Sequence, residues 1–291
     1  MTVPKEKIAL LGFGDIANRL SAHLTDHELV GVKRSPLEHP TATITTADCC
    51  DAKEIQQVLS QGFDVLVMTF TPTEMSDAGY HQGYVAPVSN ILHALEKQVA
   101  VGVRKPRLLL FVSSTSVYAQ QDGRWIDEQS PTEPDSYSGQ RLLEAERLIA
   151  DSGYPYCHVR FSGIYGRGRG HVVEQVIAGK GSPFEPPIYT NRIHADDCAG
   201  VLAHLIHLST EKRLPPVMIA SDSHPAPLHE VKDWMRSALG LPENHFTECA
   251  PLAARTRRSN KRCRNQQLLD SGYVLTYPSF KEGYAPWLAN I

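Results

Sequence analysis

The sequence predicts an α/β fold, a doubly wound parallel sheet followed by a small C-terminal lobe. Three observations carry that expectation. The first 160 residues alternate short apolar runs with helically spaced ones, the pattern of β-strands crossing over through helices. A glycine turn, Gly12-Phe13-Gly14, stands between the first apolar run and the first helical stretch. After Phe161 the alternation stops and glycine-rich, proline-rich and helical stretches follow.

Residues 8–11 form a buried parallel strand ending in glycine, and residues 16–24 have helical spacing at Ile16, Leu20 and Leu24. Residues 29–32 are a second strand. Asp51 caps a helix carrying Ile55, Val58 and Leu59. Residues 63–70 read as a strand, 88–95 as a helix and 108–112 as another strand. Residues 141–149 form a charged amphipathic helix, with a strand at 156–161. Four glycines in residues 163–170 predict a loop, and 182–187 is proline-rich and irregular. A helix at 196–208, a strand at 217–220 and a helix at 228–239 ended by Gly240 come next. The tail from Glu243 shows no long strand pattern. The expected domains are residues 1–162 with 191–220 returning to them, and a lobe of 163–190 and 221–291.

Composition narrows the class. The chain has 291 residues, 29 Lys+Arg against 32 Asp+Glu, and a formal charge of −3. That balance argues against a nucleic-acid partner, which favours a basic excess. No apolar run reaches the roughly 18–20 residues that span a bilayer. Residues 1–7 have no apolar core, so a secretory signal is not expected. The six cysteines include no C-x-x-C pair and read as reduced thiols of a cytoplasmic protein. His204 and His207 share a helix face but lack a visible third ligand, so no metal is expected.

Residues 12–17 read G-x-G-x-x-A. Gly12 permits the tight turn, Gly14 lets the backbone approach a pyrophosphate, and Ala17 lets the helix pack close to the sheet. The first helical residues, Asp15 and Ile16, present main-chain N–H groups to the phosphate charge. At the end of the second strand an NAD site would place an acid; here stand Lys33 and Arg34. A guanidinium suits a 2′-phosphate, so NADP(H) is favoured over NAD(H). The alternative is that both are solvated loop charges. Asp48 either accepts from an adenine amino group or is a turn residue. Thr69, at the end of the 63–70 strand, is also placed beside the cofactor.

The stretch Ser113-Ser114-Thr115-Ser116-Val117-Tyr118 is followed, 23 residues past Ser114, by Tyr137 in Tyr137-Ser138-Gly139-Gln140-Arg141. Here the sequence resembles the short-chain dehydrogenase/reductase superfamily, and most of all its extended and atypical members, the NAD-dependent epimerase/dehydratases. GFGDIA, SSTSVY, DEQSPTEPDS, LLEAERL, VRFSGIYGRGR, NRIHADDCAGVL and the tail KRCRNQQLLDSGYVLTYPSFKEG follow that group's pattern in order. The resemblance covers nearly the whole chain. It implies a Rossmann sheet with a small C-terminal α/β substrate lobe.

It also implies roles. In the family a serine orients the substrate oxygen, a tyrosine moves the proton, and a lysine four residues on binds the nicotinamide ribose and steadies the phenolate. Ser114 and Tyr137 match the first two, and Arg141 stands at the lysine position. Arginine keeps the charge but is broader and planar. The family's glutamate falls four residues after that lysine, whereas Glu146 is five after Arg141. Aligning on Glu146 places Ser138 and Leu142 at the catalytic positions instead. Phe161 and Ile164 belong to the loop that lines the nicotinamide side in relatives. His194 and Asp197 are expected to fix backbone, with a helix capped at Asp196, although their chemistry also suits an active site. Arg167 and Arg169 either reach an anionic substrate or sit in a solvated loop.

The function expected is an NADP(H)-dependent oxidoreductase or epimerase/dehydratase acting on a carbonyl or hydroxyl carbon of a small molecule, with sugars and sugar nucleotides among the candidates. The alternative is a non-catalytic NADP(H)-binding redox sensor or regulatory protein. No membrane partner is expected, and the chain is read as a monomer or homodimer.

Overall fold

The computed structural model describes residues 5–249 and 259–291. The start of the N-terminal segment and residues 250–258 of the tail lie outside them.

In chain order the elements begin with β1 (Lys7–Leu11), α1 (Asp15–Ser21), β2 (Glu28–Lys33), β3 (Thr43–Thr46), α2 (Ala52–Leu59), β4 (Val65–Met68), α3 (Asp77–Tyr80), α4 (Ala86–Ala100) and β5 (Leu108–Ser114). There follow β6 (Trp125–Ile126), α5 (Tyr137–Asp151), β7 (Tyr156–Phe161), β8 (Gly163–Tyr165), α6 (His171–Ile177), β9 (Lys180–Gly181), β10 (Tyr189–Thr190) and β11 (Arg192–His194). The chain continues with α7 (Ala195–Glu211), β12 (Val217–Ala220), β13 (Ala226–Pro227), α8 (Leu228–Ala238), β14 (Glu248–Cys249), β15 (Arg262–Cys263), α9 (Gln266–Asp270) and α10 (Phe280–Leu288).

Seven strands form one sheet in the order β12-β7-β5-β4-β1-β2-β3. The pairings from β5 across to β3 are all parallel. Chain order reverses between β1 and β4, so the strands leave a crevice there at their carboxyl ends. Every residue of β4 is buried, as are Ile8 to Leu11 of β1. That burial on both faces is why these strands read as unbroken apolar runs. Each such Val or Leu contributes about 1.5–3 kcal/mol.

The chain divides into two compact units. One comprises Met1–Val117, Thr132–Arg160 and Ala199–Met218; the other comprises Tyr118–Pro131, Phe161–Cys198 and Ile219–Ile291. The second has its own core, in which Tyr165, Val176, Val231, Met235, Phe280 and Leu288 pack together.

Asp51 caps α2 as the sequence predicts, accepting from the N–H groups of Lys53 and Glu54. Other expectations change. The helix expected at 141–149 starts at Tyr137, because the Ser136 hydroxyl accepts from Gly139 N–H and caps it a turn earlier. The loop expected over 163–170 opens as β8, which pairs in parallel with β11; a pairing partner 29 residues away leaves no local signal. The helix expected to be capped at Asp196 begins at Ala195, and its first-turn acceptor is His194, whose Nδ1 takes Asp196 N–H at 3.2 Å. Three helices of the second unit, α6, α9 and α10, have no counterpart among the expected elements. The last has a legible start, Ser279-Phe280-Lys281-Glu282, with Ser279 accepting from Lys281 N–H. Pro286 inside it obscured the helical pattern.

Candidate active site

Gly12, Arg34, Thr69 and Ser114 stand at or just past the carboxyl ends of β1, β2, β4 and β5, four adjacent strands of the first unit. One edge of the sheet therefore gathers residues that are 102 positions apart in the chain.

The turn after β1 is built around Gly12. Its φ is +83°, and a Cβ there would come within 3.1 Å of the Thr69 carbonyl oxygen and 3.0 Å of the Phe70 ring. Only glycine suits that position. Gly12 and Phe13 donate their N–H groups to Val32 O at 3.1 and 2.8 Å. Thr69 pins the turn from the other side, its hydroxyl donating to Gly12 O at 2.8 Å. Phe13 is buried, and it fits because Gly31 has no side chain: a Cβ there would lie 2.5 Å from the Phe13 ring. Gly31 was not singled out from the sequence; it only becomes meaningful once β2 is seen to pass beneath Phe13.

Gly14 begins α1 as a cap with no side-chain acceptor. No side chain caps the start of that helix. The Asp15 side chain turns to Arg19 at 2.9 Å. Lys33 is half-buried and Arg34 exposed, and no carboxylate lies within ion-pair distance of either among the described residues. Asp48 works as a turn residue: its Oδ1 accepts from Cys50 N–H at 2.9 Å, and its own N–H donates to Glu54. The glycine turn, the helix start and Arg34 are the residues here that could hold a dinucleotide.

Ser114 and Tyr137 are held apart in their bonding. The Ser114 hydroxyl accepts from Ser116 N–H at 3.2 Å. The Tyr137 hydroxyl donates to Met75 O at 2.8 Å, and its ring meets Tyr80 edge-on at 5.5 Å. Arg141 grips both oxygens of Asp77 at 2.8 Å and Glu144 at 2.7 Å. That guanidinium holds the Asp77 carboxyl below its usual range. No hydrogen bond joins Ser114 to Tyr137 or Arg141 among the described residues.

The rotation of α5 explains this. Glu146 is buried, its Oε1 taking the Ser113 hydroxyl at 2.6 Å and Arg160 Nε at 3.0 Å, its Oε2 taking Arg160 Nη2 at 2.6 Å. Gly139, Leu142 and Ala145 share that buried side. At about 100° per residue, Tyr137 lies roughly 180° and Arg141 roughly 140° around the helix from Glu146. Both therefore face α3. Ser138 and Leu142 lie closer to the sheet side, Leu142 buried and Ser138 with its hydroxyl 3.1 Å from that of Ser136. Gly139 seats the helix start, since a Cβ would lie 2.5 Å from Ser116 O.

A profile of the NAD dependent epimerase/dehydratase family matches residues 12–209, well over half the chain. The chain belongs to this family. No curated protein matches. A solved structure of a candidate NAD-dependent epimerase/dehydratase from Methylobacillus flagellatus is 32% identical, with 98% of each chain covered and a TM-score of 0.79. Two more distant structures share this fold. A human epimerase family protein solved with NADPH has 18% identity over 98% of this chain and 100% of that one, with a TM-score of 0.75. UDP-glucuronic acid 4-epimerase from Bacillus cereus, solved with NAD, has 16% identity over 98% and 99%, with the same TM-score.

In the second unit Phe161 ends β7 and is buried, and Ile164 lies half-buried in β8. His194 and Asp197 are occupied structurally. The buried Asp197 carboxylate accepts from Tyr273 hydroxyl, Thr276 N–H and Tyr277 N–H at 2.8–2.9 Å. The His194 ring packs on Tyr277 at 3.9 Å.

Proposed function

We propose that this family member is an NADP(H)-dependent oxidoreductase or epimerase/dehydratase acting on a carbonyl or hydroxyl carbon of a small molecule, with sugars and sugar nucleotides as the first class to try. The observation that carries the reading is the shared sheet edge at which the Gly12 turn, Arg34, Thr69 and Ser114 stand. When bound, the nicotinamide would give or take a hydride. The 12–16 turn would hold the pyrophosphate with main-chain N–H groups. Arg34, with Lys33 beside it, would pair the 2′-phosphate, and Thr69 keeps the turn in shape. Ser114 would orient the substrate oxygen through its hydroxyl. Tyr137 would hold or deliver the proton, with Arg141 one turn away favouring its charged form. For that, Tyr137 must leave Met75 O and the Arg141 clamp on Asp77 must loosen.

A second reading, a non-catalytic NADP(H)-binding redox sensor or regulatory protein, is favoured by those same contacts, which occupy Tyr137 and Arg141 away from the sheet. NADPH oxidation measured against aldehydes, ketones and nucleotide-linked sugars separates the two. Turnover that Ser114→Ala reduces at least tenfold supports the enzyme. Tight NADPH binding with no turnover on any class supports the sensor.

A further inference from the structure

Past the end of β4 the chain runs from the glycine turn to α5 along one exposed stretch. Thr69 pins Gly12 at its near end. Thr71, Thr73, Glu74, Met75 and Asp77 are exposed, Met75 to 64%. The stretch is rolled up on itself. The Ser76 hydroxyl donates to Glu74 at 2.5 Å and accepts Gly79 N–H at 3.0 Å, and Thr73 N–H donates to Gly79 O at 3.3 Å. A Cβ at Gly79 would lie 2.4 Å from Glu74 O, so the roll closes only on glycine.

This roll meets α5 at Tyr137 and Arg141, the two side chains of the helix with proton and charge chemistry to offer. Met75 O takes the Tyr137 hydroxyl, and the two Asp77 oxygens take Arg141 Nε and Nη2. The helix does not need those contacts for its seat, because Gly139, Leu142, Ala145 and Glu146 are buried on its other side. The ion pair stands in water, its side chains 32% exposed at Arg141 and 53% at Asp77. Pairs of that kind are weak and are screened by salt. One small, self-bonded segment therefore holds both groups by contacts that water can replace.

We propose that residues 71–77 are a latch with Asp77 as its catch. Closed, it keeps Tyr137 and Arg141 idle, and turnover requires its release. The consequence for turnover rests on the reading under Proposed function; the clamp itself does not.

Limited proteolysis and kinetics on the full chain test this. A glutamyl endopeptidase should cut after Glu74 at least about threefold faster in Asp77→Asn than in wild type, since cleavage follows local opening. Arg141→Ala, which leaves Asp77 at the start of α3, should speed the cut to the same extent. The double variant should be cut no faster than either single one, because both changes break one clamp. With NADPH saturating and the best substrate class, Asp77→Asn should raise kcat at least about threefold, and added salt should raise it in wild type but not in the variant. Asp122→Asn, which releases the exposed Arg124 instead, should move neither readout. An unchanged cut in Asp77→Asn, or additive effects in the double variant, would overturn the latch. So would a lower kcat in Asp77→Asn, which would make the Asp77 pair an aid to catalysis. Faster, non-additive cutting with no turnover in any variant would reject the catalytic reading and support the clamp.

Discussion

Arg160 holds Glu146 through two nitrogens, Nη2 at 2.6 Å and Nε at 3.0 Å, in a buried pair beneath α5. Removing one partner of such a pair strands the other charge in the interior. Glu146→Ala should therefore cost about 3–5 kcal/mol of stability. Urea denaturation checks it. A loss under about 1 kcal/mol, the range of a surface pair, would mean that the pair does not hold the helix in place.

The cofactor preference turns on Arg34. NADPH should bind at least about tenfold more tightly than NADH, one charge-assisted phosphate contact being enough for that ratio. Arg34→Asp should shrink or invert the preference, while Gly12→Ala, strained at φ +83°, should weaken both cofactors together. Fluorescence titration in wild type and variants is the measurement. Equal affinities in wild type would reject the assignment of Arg34.

Tyr137→Phe should abolish NADPH-dependent turnover and leave NADPH binding nearly intact, because the lost hydroxyl serves the substrate. Arg141→Lys should keep activity and Arg141→Ala should damage it. Steady-state kinetics with the best substrate class decides. Retained activity in Tyr137→Phe would reduce Tyr137 to its bond with Met75, whose loss costs about 0.5–1.5 kcal/mol.

Two buried groups should pull the pH dependence of stability in opposite directions. Burial pushes His158 down to about 4, from the usual 6.5. The unfolded chain then binds more protons between those values, so this group costs stability as pH falls from 6.5 towards 4. Burial pushes the Asp222 carboxyl up to about 7, and its Oδ2 has no hydrogen-bond partner among the described residues. Here the folded chain binds more protons, so stability is lost as pH rises from 3.8 towards 7. His158→Phe should thus lessen the loss on acidification, and Asp222→Asn the loss on the way to neutrality. Urea midpoints from pH 4 to 7.5 report both; parallel curves for wild type and Asp222→Asn would reject the second.

Much of this protein is written locally. The parallel sheet was legible because strands buried on both faces must be apolar throughout, and the Gly12 turn because one backbone conformation there excludes every side chain. The cap at Asp51 was legible for a similar reason, the acceptor lying within three residues of its donors. Spacing alone, by contrast, put Tyr137 and Arg141 on one helix face without saying which way that face looks. The buried contact of Glu146 with Ser113 and Arg160 decided it, through residues 33 and 14 positions away. The pairing of β8 with β11, the fit of Phe13 over Gly31 and the clamp of Asp77 on Arg141 are likewise contacts between distant segments. Sequence by itself determined the buried strands of the first unit, the Gly12 turn and the Asp51 cap, since backbone conformation and burial pattern there are local properties. Tertiary structure alone decided how α5 is turned and which side chains meet, because those depend on packing between parts of the chain that carry no mark of one another.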